Sequence, residues 1–163
     1  MEARSVRSIT KALNDAGVRY LIVGGLAVNV HGYVRMTRDL DLVVALDPGN
    51  IRRCLATLLA EGYQLAVPVS VEEFADPGMR ARWREEKGML VLKLWSDAHA
   101  RTPIDIFIYE PFDFSAELTR SLRVDLAPGI EAPIVSLATL VAMKQEAARP
   151  QDLVDIQELT RIR

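Results

Sequence analysis

Apolar positions along the chain switch repeatedly between helical and strand spacing, and each switch marks a change of element. Val6, Ile9, Leu13 and Ala16 recur at helical intervals with Gly17 as a stop, which predicts a first helix over residues 4–16. Tyr20, Leu21, Ile22 and Val23 form a continuous apolar run of strand type that breaks at the pair Gly24-Gly25. A helical segment through Tyr33, a basic turn and a second strand from Arg38 follow, with Leu40, Leu42 and Val44 sharing one face of that strand. Asp47 then caps and Pro48 opens a helix whose apolar face is Ile51, Leu55, Leu58 and Leu59, ended by Gly62.

The second half reads in the same way. Residues 63–67 suggest a short strand, 71–74 a helical turn, and 89–95 a strand. Residues 102–109 alternate strictly: Ile104, Ile106 and Ile108 lie on one face, Asp105 and Phe107 on the other. Pro128-Gly129 between two apolar runs predicts a hairpin. Ser136 caps a helix through Ala148 whose stripe is Leu137, Leu140, Val141 and Ala148, and Pro150 opens the last helix. This order predicts an α+β fold, a mixed β-sheet with packed helices and a C-terminal helical pair closing one side of a cleft. The expected division is a core over residues 1–135 and a helical appendage over 136–163 packed on the same domain.

Composition narrows the class. The chain has 163 residues, half of them hydrophobic, which suits one domain with a proper core. A net charge of −2 excludes a generally basic nucleic-acid coat protein, while leaving room for a local basic patch. Cys54 is the only cysteine, so no intramolecular disulfide forms. No apolar run reaches the roughly 18 residues of a membrane span. The N-terminus is amphipathic without the apolar stretch of a signal peptide, and the expected location is cytoplasmic.

The candidate chemistry lies between Tyr20 and Leu46. Asp39 and Asp41, two residues apart on a strand, project from one face, and like charges held together repel. A divalent cation is the usual compensation, and carboxylate oxygens suit Mg2+ or Mn2+. The Gly24-Gly25 turn leads into a helix whose first N–H groups favour an anion. Asp105 stands alone in an apolar strand, where it needs an ion partner or a metal. Lys144 falls on the apolar stripe of its helix, so it either snorkels out or reaches an anion. Asp152 sits in the first turn of the last helix, where capping is the plain reading. The run 79–87, with four basic residues, two glutamates and Trp83, reads either as a solvated surface segment or as an exposed tryptophan with basic neighbours that meets a nucleic acid.

The order strand, Gly-Gly, helix, basic turn, D-x-D strand resembles the nucleotidyltransferase superfamily with the polymerase-β-like palm. Gly24-Gly25-Leu26-Ala27 and Thr37-Arg38-Asp39-Leu40-Asp41 look most like its AbiEii-type branch, small bacterial nucleotidyltransferases often encoded as toxins. The resemblance implies transfer of a nucleoside monophosphate from an NTP to an acceptor hydroxyl, the acceptor being a tRNA or other RNA end, a protein or a small molecule. It implies Asp39, Asp41 and Asp105 as catalytic metal ligands for Mg2+ or Mn2+, with Asp105 alternatively the general base. Gly24, Gly25, Arg38, Lys144 and Asp152 are implied on the nucleotide, with Arg38 alternatively paired to a carboxylate. The run Lys144 to Asp152, with Arg149 between them, carries the C-terminal part of the likeness. Gly25 departs from the pattern, since many members have serine there. A cognate antitoxin or toxin protein is an implied partner, and a catalytically idle binding module is the rival reading. A Rossmann domain lacks its G-x-G-x-x-G here, and His31 and His99 sit in no nucleophile motif.

Overall fold

The computed structural model describes residues 1–162. Its sheet grows outward from the most apolar segments. β1 (Tyr20–Ile22) is buried along its length and pairs antiparallel with β2 (Leu40–Val44), Ile22 opposite Leu42. On its other edge β2 runs parallel to β5 (Ile104–Phe107), which sets Asp41 directly beside Asp105. β4 (Val91–Trp95) lies antiparallel to β5 with Lys93 opposite Asp105, and β3 (Gln64–Leu65) finishes that side. Beyond β1, the parallel strand β7 (Ile130–Ile134) and its hairpin partner β6 (Leu122–Ala127) complete a seven-stranded mixed sheet, ordered β3-β4-β5-β2-β1-β7-β6.

Helices cover this sheet with the apolar positions that their spacing selects. α1 (Ala3–Asp15) and α3 (Pro48–Ala60) pack together and give Ile9, Leu13, Ile51, Leu55 and Leu58 to the core. As the sequence predicts, Asp47 accepts a bond from the Asn50 amide and Pro48 starts α3. α7 (Leu137–Ala147) lies against α2 (Gly24–Val30) and α8 (Pro150–Arg161), and the C-terminal pair shares the one core through Leu140 and Leu159.

Four local expectations change. β2 begins at Leu40, so Asp39 stands at the bend that enters the strand rather than inside it. α2 stops at Val30, and residues 33–38 form an irregular loop tied back by a mutual pair of bonds, Asn29 Nδ2 to the Arg35 carbonyl at 2.9 Å and the Arg35 amide to Asn29 Oδ1 at 3.0 Å. The run 79–87 falls in α5 (Pro77–Lys87), which follows α4 (Val71–Ala75), and Trp83 is a core residue only 5% exposed. Burying the indole removes its large apolar surface from water, which outweighs any surface stacking role. An additional helix, α6 (Phe114–Arg120), is capped by Asp113. Its buried Glu117 accepts from the Ser136 amide at 2.6 Å and from the Thr139 hydroxyl at 2.7 Å, fixing the start of α7.

Candidate active site

Two paired strands and the bend that enters one of them bring the carboxylates together beside the glycine turn. Asp41 in β2 lies beside Asp105 in β5, while Asp39 approaches from the bend. Burial, then Asp105, then Asp39 push the Asp41 carboxyl up from 3.8 to about 7, against weaker pulls from the Gly25 amide and Arg149. Gly24 adopts φ 64°, and a Cβ there would stand 2.0 Å from Asp41 Oδ2. The strand-to-helix turn and the carboxylate therefore interlock only with glycine. At Gly25 a Cβ would meet Thr37 Oγ1 at 2.3 Å, so the threonine occupies the room that a serine side chain would need.

These groups line a cavity of about 720 Å³, the size of a small-ligand site. Gly24, Gly25, Asp39, Asp41, Asp105, Lys144 and Asp152 all reach it. Arg38 does not line it; the residue is exposed on the loop, and Arg35 and Thr37 face the cavity in its place. Arg149, Lys93 and Arg84 also line it. At one end Phe107 and Tyr109 meet edge to face, with the Arg84 guanidinium 3.8 Å from the Tyr109 ring centre. Neither histidine lines the cavity; His31 bonds the Val135 carbonyl and His99 the Ser5 hydroxyl.

Lys144 is not a free cation. Its ammonium is buried between Asp152 Oδ1 at 2.8 Å and Asp155 Oδ2 at 2.6 Å. Asp155 also receives a two-pronged contact from Arg35, at 2.6 and 2.7 Å, and Asp152 receives Arg149 Nε at 2.7 Å. Burial alone would raise Asp155, but hydrogen bonds from Arg35, Lys144 and Gln151 win and hold it at about 2. The balance at Asp152 is similar: burial opposes, and Arg149 with Lys144 lowers it. This network pins α8 and the 33–38 loop to α7 along one side of the cavity.

Sequence reasoning missed Lys93, Arg35 and Asp155. Lys93 carries a usable signal: like Asp105, it is a lone charge in an apolar strand, and two such charges of opposite sign call for each other. Lys93 Nζ donates to both Asp105 oxygens, at 2.7 and 3.0 Å. Arg35 and Asp155 lie 120 residues apart and carry no such signal.

Over residues 12–162 the chain matches the family described as nucleotidyl transferase AbiEii toxin, type IV TA system. The chain belongs to the AbiEii nucleotidyltransferase family. Among solved structures, the lincosamide antibiotic adenylyltransferase LnuA, lincomycin-bound, is similar at 15% identity and TM-score 0.65, covering 98% of this chain and 97% of that one. ANT(2")-Ia in complex with adenylyl-2"-tobramycin matches at 12% identity and TM-score 0.59, over 96% and 86%. A nucleotidyltransferase-like antigenic protein from Paracoccidioides brasiliensis matches at 16% and 0.57, over 99% and 76%. At these identities the likeness is one of fold. No curated protein matches the chain significantly. The α+β nucleotidyltransferase architecture expected of an AbiEii relative is thus the one observed, and no helix among the described residues is long and apolar enough to cross a membrane.

Proposed function

We propose that the cavity binds an NTP and transfers its nucleoside monophosphate to an acceptor hydroxyl, releasing pyrophosphate. The observation that carries this reading is the meeting of Asp39, Asp41 and Asp105 in one cavity beside the Gly24-Gly25 turn. Gly24 and Gly25 carry no side chain into the cavity, which lets phosphate oxygens come close to the backbone turn, and Thr37 adds a hydroxyl next to Gly25. Arg149, whose side chain is 76% exposed, supplies a guanidinium for phosphate charge. Lys144 and Asp152 act on the nucleotide by holding α8 and Arg149 in place.

The donor set fits a divalent cation in a limited way. Among the described residues no group of three or more carboxylate, histidine or cysteine side chains is arranged to hold a metal by itself. Asp39 and Asp41 suit Mg2+ or Mn2+, which commonly takes one or two carboxylates and completes its shell with water and phosphate oxygens. Burial first, and then repulsion from Asp105 and Asp39, raises Asp41, and such an ion would relieve the repulsion. When bound, the ion supplies Lewis-acid neutralisation of the phosphates.

In the transfer, the acceptor hydroxyl oxygen forms a bond to the α-phosphorus, the bond to the bridging oxygen breaks, and pyrophosphate leaves with its electron pair. Asp105, facing the acceptor side next to Phe107, accepts the hydroxyl proton; a carboxylate has about four lone-pair sites, so Lys93 does not exhaust it. The aromatic and cationic end, Phe107, Tyr109 and Arg84, suits the base and phosphate of an RNA end, a tRNA among them. The similar folds solved with lincomycin and with adenylyl-2"-tobramycin make antibiotic-like small molecules the rival acceptor, and a protein hydroxyl the third. A toxin role, with a cognate antitoxin as partner, extends the family description to this chain.

The test is incubation with each α-labelled NTP, Mg2+ and, separately, total RNA, cell lysate and an antibiotic panel, comparing wild type with Asp41→Ala. Label moved by the wild type alone supports the reading and identifies the acceptor class. Absence of transfer together with no calorimetric Mg2+–NTP binding would overturn it.

A further inference from the structure

Lys93 stands in β4 opposite Asp105 in β5, and its ammonium holds both oxygens of that carboxylate. The two partners differ in their freedom. The Asp105 side chain is 11% exposed, while that of Lys93 is 60% exposed. The carboxylate is thus fixed in the cavity floor, and the cation is brought to it by a flexible, solvated stem. An ammonium seated across both oxygens repels a divalent ion approaching the same carboxylate.

We propose that Lys93 is a built-in cation standing in for a second divalent ion, so that the site takes one divalent cation per bound nucleotide. That ion belongs to Asp39 and Asp41; Asp105 keeps Lys93. The inference rests on the nucleotidyl-transfer reading of the cavity and assigns Lys93 as a positioning residue: it bonds both oxygens of the buried Asp105 carboxylate and supplies a tethered positive charge on the acceptor side. A charge tethered to β4 beside Asp105 costs less to bring to the site than a second ion drawn from solution.

The test counts bound Mn2+ by electron paramagnetic resonance, with a non-hydrolysable α,β-methylene NTP, in wild type, Lys93→Met and Lys93→Arg. Thermal melting checks that each variant is folded, which the exposed position of the side chain favours. The expected result is one ion per protein in wild type and Lys93→Arg, and two in Lys93→Met. The second ion should bind at least about tenfold more tightly in Lys93→Met than any second ion in wild type. Two ions in wild type, or one in folded Lys93→Met, overturn the inference while leaving nucleotidyl transfer standing. No Mn2+–nucleotide complex in any of the three proteins removes the nucleotide reading and this inference with it.

Discussion

The β-carbon that Gly24 lacks would lie 2.0 Å from Asp41 Oδ2. The turn at the end of β1 and the carboxylate of β2 are therefore one piece of structure, although 17 positions separate them in the sequence (41 − 24). Gly24→Ala is expected to displace Asp41 and to strain a backbone held at φ 64°. The cost should be ~1–3 kcal/mol of stability, read by urea denaturation, with loss of NTP binding. A Gly24→Ala protein with wild-type stability and affinity would contradict this interlock.

Asp41 makes the nucleotide-free protein sensitive to pH. Its folded value, about 7, lies above the ordinary 3.8, so the native state binds the extra proton between those limits. Stability is then fully present below about 4 and falls as pH rises through about 7. Asp41→Asn should flatten this slope and stabilise the protein at pH 8 by ~2–4 kcal/mol. Melting temperatures of the two proteins from pH 4 to 8, without divalent ions, are the measurement; parallel profiles would refute it.

Lys144 is the centre of a buried ion cluster, and its replacement should act on folding first. Lys144→Met leaves Asp152 and Asp155 short of a partner and is expected to cost ~3–5 kcal/mol, with faster hydrogen exchange along α8. A freely reaching lysine would instead show lost nucleotide affinity at unchanged stability.

Arg149 and Arg38 separate the cavity from its rim. Arg149→Ala should weaken NTP binding by roughly ten- to a hundredfold, as expected for a lost charge-assisted bond, and should lower stability less than Lys144→Met, because Lys144 still holds the buried Asp152. Arg38→Ala, on the exposed side of the loop, should leave affinity near wild type. Calorimetric titration of both decides; equal losses would show that the loop rearranges on binding.

The acid limb has a different origin. Asp155, held at about 2 by Arg35, Lys144 and Gln151, contributes stability that is present above about 4 and lost as pH falls towards 2. Asp155→Asn should flatten this limb of the melting profile between pH 4 and 2. An unchanged limb would mean that other carboxylates govern acid unfolding.

Much of this protein is local, and the sequence by itself determined it. The apolar run at residues 20–23, the Gly24-Gly25 break, the alternation around Asp41 and Asp105, and the caps at Asp47 and Ser136 each depend on near neighbours along the chain. Period and capping are properties of a few consecutive residues, so the elements and the carboxylates could be read from them. The family likeness rests on the same short stretches.

Tertiary structure decided which charges are free. Lys144 and Asp152 look available along the chain, yet Asp155 and Arg35, which complete their network, come from another turn of α8 and from the loop after α2. Lys93 reaches Asp105 only because β4 and β5 pair in that register. Trp83, in a run rich in arginine, was drawn inward because the core took its apolar surface. Pairing of charges and burial of mixed segments depend on partners distant in sequence, whose meeting is fixed by the packing of the whole sheet and its helices.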